Sequence, residues 1–242
     1  MNVFKRGMIF VTFFGSCVAI VLLVASLGTK QWVTARAKRT INPLESDGRI
    51  QFGLFEGRKE LNVAYGWRSY EIDVIHLIKS EPEFLTYGLW IGTIVSVSLG
   101  LLFSAICGVF AAVNAATTPS SCLAGVRGLY IWNFLALIAD LCAIGFWIAQ
   151  FFLSIQKNVM SREDKDYMWT SEDMAELGYS FWYFLSTGQN KNFISFYRFV
   201  VGAAIATFVD IIIIFIANSE SKEAPQVFPV LEEKTNGAIM LY

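Results

Sequence analysis

Four long apolar runs constrain the fold of this 242-residue chain more than any other feature. They cover residues 7–27, 85–112, 129–155 and 199–217. A helix needs roughly 20 residues to cross a hydrocarbon core of about 30 Å, and each run is close to this length or longer. Charged residues make up only 16% of the chain, against roughly 25% in average soluble proteins. We therefore predict an all-α membrane protein, a four-helix transmembrane bundle that forms a single membrane domain.

The second apolar run carries small residues at every fourth position: Gly88, Gly92, Ser96, Gly100, Ser104 and Gly108. Small residues four apart form a groove along a helix, where a neighbouring helix can approach closely in lipid. Because a step of four residues exceeds the 3.6-residue turn by about 40°, this groove winds around the helix. We predict that it packs the second helix against several neighbours in turn.

The first long connection, residues 28–84, has the composition of a small β-sheet. Its segments 31–37, 50–55 and 70–78 alternate at least partly between apolar and polar residues, which predicts strands. Turn-forming residues lie between the first two segments, at 42–43 and 46–48. We predict an antiparallel sheet that stands on the membrane. Gly53 and Gly57 are expected where backbones approach closely.

Polar side chains inside the predicted spans are candidate functional residues, because burying them in lipid is costly. Asn133 and Asp140 share a face of the third span, and Asp210 lies on the small-residue face of the fourth. Counted along their helices at ~1.5 Å per residue, Asp140 lies roughly 17 Å and Asp210 roughly 11 Å from the inner end, so the two carboxyls could come close. One hypothesis is a proton or cation relay. The interpretation we favour is structural, with protonated or hydrogen-bonded carboxyls that fix the helix register, Asn133 or Ser104 being candidate partners.

Catalysis, cofactors and nucleic acid are not predicted. The formal net charge of -1 provides no basic field for nucleic acid. The single histidine, His76, falls in the third predicted strand, where we interpret it as a packing or surface residue. The sequence shows no nucleophile elbow, phosphate loop or metal-ligand spacing. We therefore expect neither an enzyme nor a metal site.

Five motifs, in the same order along the chain, resemble the clarin family. They are LGTKQWV at 27–33, FGLFEG at 52–57, GLYIWN at 128–133, YSFW at 179–182 and IMLY at 239–242. The first half of the chain is most similar to the third mammalian clarin paralogue. Clarins are claudin-like tetraspan proteins, so the resemblance implies a plasma-membrane location, cytoplasmic termini and an extracellular sheet in the first loop.

The chain departs from that family pattern at three points. It has no Asn-x-Ser/Thr sequon, and the first loop lacks the cysteine pair of claudins. Residues 183–198 also look inserted before the fourth span. Charge does not settle the orientation, because the two long loops hold more lysine and arginine than the termini but also fourteen acids.

By resemblance, the chain is expected to be a scaffold or adhesion-type organiser. Such a protein links extracellular or lateral membrane partners to the cytoskeleton or to channel complexes, notably in sensory cells. The contact residues expected on the extracellular side are Trp32, Phe52, Gly53, Leu54, Phe55, Gly57 and, in the second loop at 156–198, Trp182. The alternatives are an auxiliary subunit of a channel or transporter and, third, an ion pathway through Asp140 and Asp210. The tail at 218–242 is predicted to be disordered, and its hydrophobic end suits a PDZ domain.

Overall fold

The computed structural model describes residues 3–63, 66–81, 84–117, 123–177 and 199–223. Its helices are α1 (Val3–Gly28), α2 (Val74–Ser80), α3 (Tyr87–Ala116), α4 (Val126–Gln150), α5 (Arg162–Asp166) and α6 (Phe199–Glu223). A π-helical segment, Phe151–Ile155, extends α4 towards the second long loop. Four helices, α1, α3, α4 and α6, are long and apolar enough to cross a membrane. The predicted four-span architecture is confirmed.

The four long helices form a closed bundle. α1 packs on α3 and α6, and α4 packs on the same two helices. The order around the bundle is therefore α1, α3, α4, α6. Lys5 Nζ near the start of α1 donates a hydrogen bond to Asn218 Oδ1 near the end of α6, at 3.3 Å. These two ends therefore lie together, at the opposite end of α1 from the sheet that follows it.

Both long loops contribute strands to one antiparallel sheet. The first loop supplies β1 (Val33–Arg39), β2 (Gly48–Phe52), β3 (Glu56–Val63) and β4 (Gly66–Asp73), and the second supplies β5 (Trp169–Thr170) and β6 (Ala175–Leu177). The order is β4-β3-β2-β1-β5, with β6 also paired to β1. The predicted sheet is confirmed, and the ends of β1 and β2 lie within three residues of the ends of two predicted strands. The shared sheet places the described parts of both loops on the same side of the bundle.

The predicted third strand, residues 70–78, is wrong beyond Asp73. The Asp73 carboxylate accepts hydrogen bonds from the backbone N–H groups of Ile75 and His76 and caps the short helix α2. Val74 and Ile78, one helical turn apart, are its buried residues. An apolar residue at every second position fits a strand, but Val74 and Ile78 also fit a single helical turn. His76 therefore lies on an exposed helix face and not in a strand.

One hydrophobic core runs from the sheet into the bundle. It joins Ile50 and Phe52 of β2 to Trp90 of α3 and Trp147 of α4, and it reaches Leu23 of α1 and Val200 of α6. A smaller cluster packs the other end of the bundle, made of Ile9, Cys107, Ala111, Leu129 and Ile214. The sheet and the helices thus share buried apolar surface, the main driving force for folding.

Candidate functional site

Two tryptophans join the sheet to the bundle. The Trp32 indole is fully buried, and its Nε1–H donates to the Ser26 carbonyl oxygen at 2.7 Å. Its ring meets that of Trp147 edge-on, with the ring centroids 4.8 Å apart. Trp90 Nε1–H donates to the Leu54 carbonyl oxygen at 2.9 Å. Each indole combines a large apolar surface with a satisfied donor, so both act as anchors between the loop and the helices.

Gly53 and Gly57 lie where backbones approach closely, as the sequence predicted. A Cβ added at Gly53 would overlap the Thr29 carbonyl oxygen and lie 3.1 Å from Lys30 Cα. A Cβ at Gly57 would lie 2.8 Å from the Gln51 carbonyl oxygen. Both contacts are with main chain, which cannot move aside as a side chain can. Only glycine therefore fits at these two points of the sheet.

Most of the predicted extracellular contact residues do not form a contact surface. Trp32, Phe52 and Leu54 are each 0% exposed, and Phe55 is partly buried against the same core. These side chains pack in the core between the sheet and the bundle and are not accessible to a partner protein. Sequence alone cannot separate these two uses of an aromatic side chain. Trp182 lies outside the described residues.

An ion pair between the two long loops was not predicted. Lys59 Nζ of β3 lies 2.8 and 2.6 Å from the two carboxylate oxygens of Asp164 in α5. The two side chains are only 17% and 10% exposed. Ser161 Oγ donates to Asp164 Oδ2 at 2.6 Å, and the Arg162 N–H donates to Glu81 Oε2 at 2.8 Å. The described part of the second loop is thus clamped onto the first. The charged run at 162–166 was visible in the sequence, but nothing there paired it with Lys59.

A groove of about 340 Å³ lies beside this clamp, between the sheet, α2 and α5. Its walls combine apolar side chains with carboxylates. The apolar ones are Ile50, Ile72, Leu77, Phe84 and Val159, and the acidic ones are Glu71, Asp73, Glu81, Glu163 and Asp164. Lys59 and His76 also line it. Sequence reasoning missed this groove, because its residues come from four separate segments.

An exposed ion-pair network lies at the foot of the sheet. Lys30 Nζ is 2.9 Å from Glu56 Oε2 and 3.1 Å from Glu71 Oε2. The hydrogen bond to Glu56, followed by that to Glu71, raises the pKa of Lys30. The hydrogen bond from Lys30 lowers the pKa of Glu71. Both shifts favour the charged forms, but pairs this exposed add little stability.

The row of small residues on α3 contacts α4 at one end and α1 at the other. A Cβ at Gly92 would lie 3.1 Å from Phe146 Cδ2 of α4, and one at Gly108 would lie 3.5 Å from Ser16 Cβ of α1. At Gly100 the added atom would overlap Asp140 Oδ1 of α4 and lie 3.6 Å from Leu23 Cδ1 of α1. Ser96 and Ser104 are buried in the same surface. Gly88 has open space around it, so the packing surface begins at Gly92.

The intramembrane carboxyls occupy two separate notches. Asp140 of α4 lies against Gly100 of α3, and Asp210 of α6 lies against Gly15 of α1. Both are at most 1% exposed. Within the described residues, both carboxyl oxygens of Asp140 and the Oδ2 atom of Asp210 have no hydrogen-bond partner. The two aspartates are therefore not hydrogen-bonded to each other. Each carboxyl fills a space that a glycine leaves on a neighbouring helix.

The predicted polar partners do not contact these carboxyls. Asn133 donates from Nδ2 to Cys107 Sγ at 2.9 Å and to the Leu129 carbonyl oxygen at 3.0 Å. Ser104 Oγ has no hydrogen-bond partner in the described structure. Asn133, Asp140 and Asp210 are all buried, as inward-facing residues would be. Within the described residues, neither Asn133 nor Ser104 hydrogen-bonds to either carboxyl. Among the described residues, no group of three or more His, Cys, Asp or Glu is arranged to hold a metal ion.

The closed bundle of four membrane-spanning helices, with an antiparallel sheet between the first two, defines a claudin-like tetraspan membrane protein. Within this class the chain belongs to the Clarin-2-like family, whose sequence model matches residues 4–196. The match includes α1, α3 and α4, and it ends before α6. No curated protein sequence matches the chain significantly. The clarin resemblance is confirmed, and the assignment to the third paralogue stays a prediction.

Proposed function

We propose that this clarin is a plasma-membrane organiser that presents a rigid extracellular platform to partner proteins. Through that platform it links extracellular or lateral membrane partners to the cytoskeleton or to channel complexes. The observation that carries the proposal is the construction of the platform. Two loops, far apart in sequence, form one sheet that shares a hydrophobic core with the transmembrane helices.

Rigidity is what supports an organising role for this platform. The Lys59–Asp164 pair and the strands β5 and β6 hold the second loop on the first. Trp32 and Trp90 hold the sheet on the bundle. A surface held in this way binds partners with little loss of conformational entropy. Because the ends of α1 and α6 lie opposite the sheet, an extracellular sheet implies cytoplasmic termini.

The cytoplasmic link in this proposal is the C-terminal tail. Its last residues have the hydrophobic form that some PDZ domains accept by strand addition. Residues 224–242 lie outside the described part of the chain, so this link rests on the sequence.

A crosslinking pull-down from native membrane tests the proposal. We expect the full-length protein to recover junctional or actin-linked proteins. Recovery of a pore-forming subunit instead would favour the auxiliary-subunit hypothesis. Recovery of lipid alone, at several crosslinker lengths, would refute an organising role. The variant Trp32→Ala removes one of the two indoles that join the sheet to the bundle, and we expect it to reduce partner recovery more than it reduces surface expression.

Asp140→Asn and Asp210→Asn separate the structural hypothesis from the ion pathway. A loss of proton-coupled current with normal surface expression would support a pathway. A loss of surface expression alone would support the structural hypothesis, in which each carboxyl packs against a glycine of another helix.

A further inference from the structure

We propose that the groove between the two extracellular loops binds a basic, partly apolar segment of a partner protein. This inference rests on the proposed function, and it gives the partner a chemistry and the platform a site. The groove has a volume of about 340 Å³, within the range of natural ligand pockets of roughly 300–1,000 Å³. That space accommodates one or two side chains, not a folded domain.

The charge of the groove selects a cation. Lys59 is paired to Asp164, and Glu71 is paired to Lys30 and Arg58. The other three lining carboxylates, Asp73, Glu81 and Glu163, form no ion pair with a described residue. Asp73 and Glu81 accept backbone N–H groups, which fix their positions without neutralising their charge. Three placed negative charges therefore remain at the walls of the groove.

The apolar walls indicate a side chain and not a free metal ion. Ile72, Leu77, Phe84 and Val159 line the same space as the carboxylates. Arginine and lysine bury their aliphatic stems on apolar surface while the charged head reaches polar groups. A bare cation would gain nothing from these walls, and the described acids are not clustered as metal ligands. The combination fits an arginine or lysine beside an apolar residue.

The groove is formed before any partner arrives. Its walls come from both long loops, and the partly buried Lys59–Asp164 pair holds those loops together at its edge. Preorganised walls lower the entropic cost of binding. The groove has walls from both loops only when the loops are packed together. Peptide binding therefore shows that the two loops have assembled.

Peptide binding to the full-length protein in detergent micelles tests this inference. The probes are fluorescein-labelled hexapeptides that alternate leucine with arginine, leucine with glutamate, or serine with arginine. We expect the leucine–arginine peptide to bind most tightly. The serine–arginine peptide should lose affinity because it lacks apolar contacts, and the leucine–glutamate peptide should not bind. Raising the salt concentration should weaken binding of both arginine peptides, since the recognition is partly electrostatic.

Two variants of the same short helix provide the matched comparison. Glu163 lines the groove and Asp166 does not, although both are exposed residues of α5. We expect Glu163→Lys to raise the Kd of the leucine–arginine peptide about tenfold and Glu163→Gln by less, while Asp166→Lys changes it by less than about twofold. Equal thermal stability of the variants shows that the fold is kept.

The outcomes separate this inference from the proposed function. Equal binding of basic and acidic peptides, or equal effects of Glu163→Lys and Asp166→Lys, would overturn the groove as a cationic site. If the pull-down still recovers partners in that case, the organiser role stands without the groove. If the peptide binds as expected but no partner is recovered from membrane, the groove stands and the organiser role fails.

Discussion

The notch between α1 and α6 gives the most decisive prediction, for the variant Gly15→Ala. A Cβ at Gly15 would lie 2.5 Å from both Cγ and Oδ2 of Asp210 and would overlap Oδ1. Ordinary van der Waals contact begins near 3.4 Å, so Cγ and Oδ2 must move by about 0.9 Å and Oδ1 must move further. Asp210 is 1% exposed, and therefore little free space surrounds it.

The expected cost follows from two opposing effects. Overpacking a close-packed interior costs about 1–3 kcal/mol, and collision with a whole carboxyl group indicates the upper part of that range. Replacing glycine by alanine in a helix returns up to about 1 kcal/mol of helix propensity. We therefore expect Gly15→Ala to lower the free energy of unfolding by about 2 kcal/mol. Reversible unfolding in mixed detergent–SDS micelles, monitored by tryptophan fluorescence, measures this difference.

A double-mutant cycle tests the cause. Adding Asp210→Ala removes the colliding atoms, so the double variant should be more stable than the sum of the single effects by about 1–2 kcal/mol. Gly7→Ala is the matched control, because Gly7 lies in the same helix and a Cβ added there would meet nothing within 4 Å, so this variant should not be destabilised. Effects that add to within about 0.5 kcal/mol would refute the packing of Asp210 against Gly15.

Three further predictions concern the sheet and the groove beside it. Lys59→Met leaves the buried Asp164 carboxylate unpaired and should cost about 3 kcal/mol of unfolding free energy, most of which Lys59→Met with Asp164→Leu should restore. Trp90→Phe leaves the buried Leu54 carbonyl without its donor and should cost about 1–3 kcal/mol in the same unfolding assay. Glu71→Gln should lower the melting temperature slightly at pH 7 and low salt. Because Lys30 lowers the folded-state pKa of Glu71 below 4.5, this stabilisation is present above the unfolded-state pKa and is lost as the pH falls through the folded-state value.

Each of these has a control or a contradicting result. If the double variant at 59 and 164 is as unstable as Lys59→Met alone, the cost is not that of an unpaired charge. Trp67→Phe removes an indole that is 53% exposed and should be nearly neutral, in contrast to Trp90→Phe. A difference between wild type and Glu71→Gln that is unchanged by high salt would rule out the ion pair as its source.

The long helices and two of the strands could be predicted because their signals are local. Apolar runs of membrane length define α1, α3, α4 and α6, and partial alternation marks β1 and β2. The strand β3 gave no such signal. Its inward position between Ile50 and Tyr70 is occupied by Lys59, where alternation predicts an apolar residue. Asp164 pairs with this charge and offsets the cost of burying it, and that pairing spans 105 residues.

The candidate site was harder to predict than the fold. The inward faces of Asn133, Asp140 and Asp210 followed from helical periodicity, but their neighbours did not. Asp140 packs against Gly100 and Asp210 packs against Gly15. Which glycine each carboxyl contacts depends on how the four helices assemble. The strands β5 and β6 have two and three residues, too short to show alternation. They form because β1 offers them its free edge.

The continuous core has a mechanical consequence. Ile50 and Phe52 of the sheet belong to the same buried cluster as Leu23, Trp147 and residues of α6. Among the described residues, the sheet is therefore joined to the membrane-spanning helices by continuous packing. A force on the sheet is therefore expected to tilt the sheet and the helices together as one rigid body. Such a tilt would also move the opposite ends of α1 and α6, where Lys5 donates a hydrogen bond to Asn218.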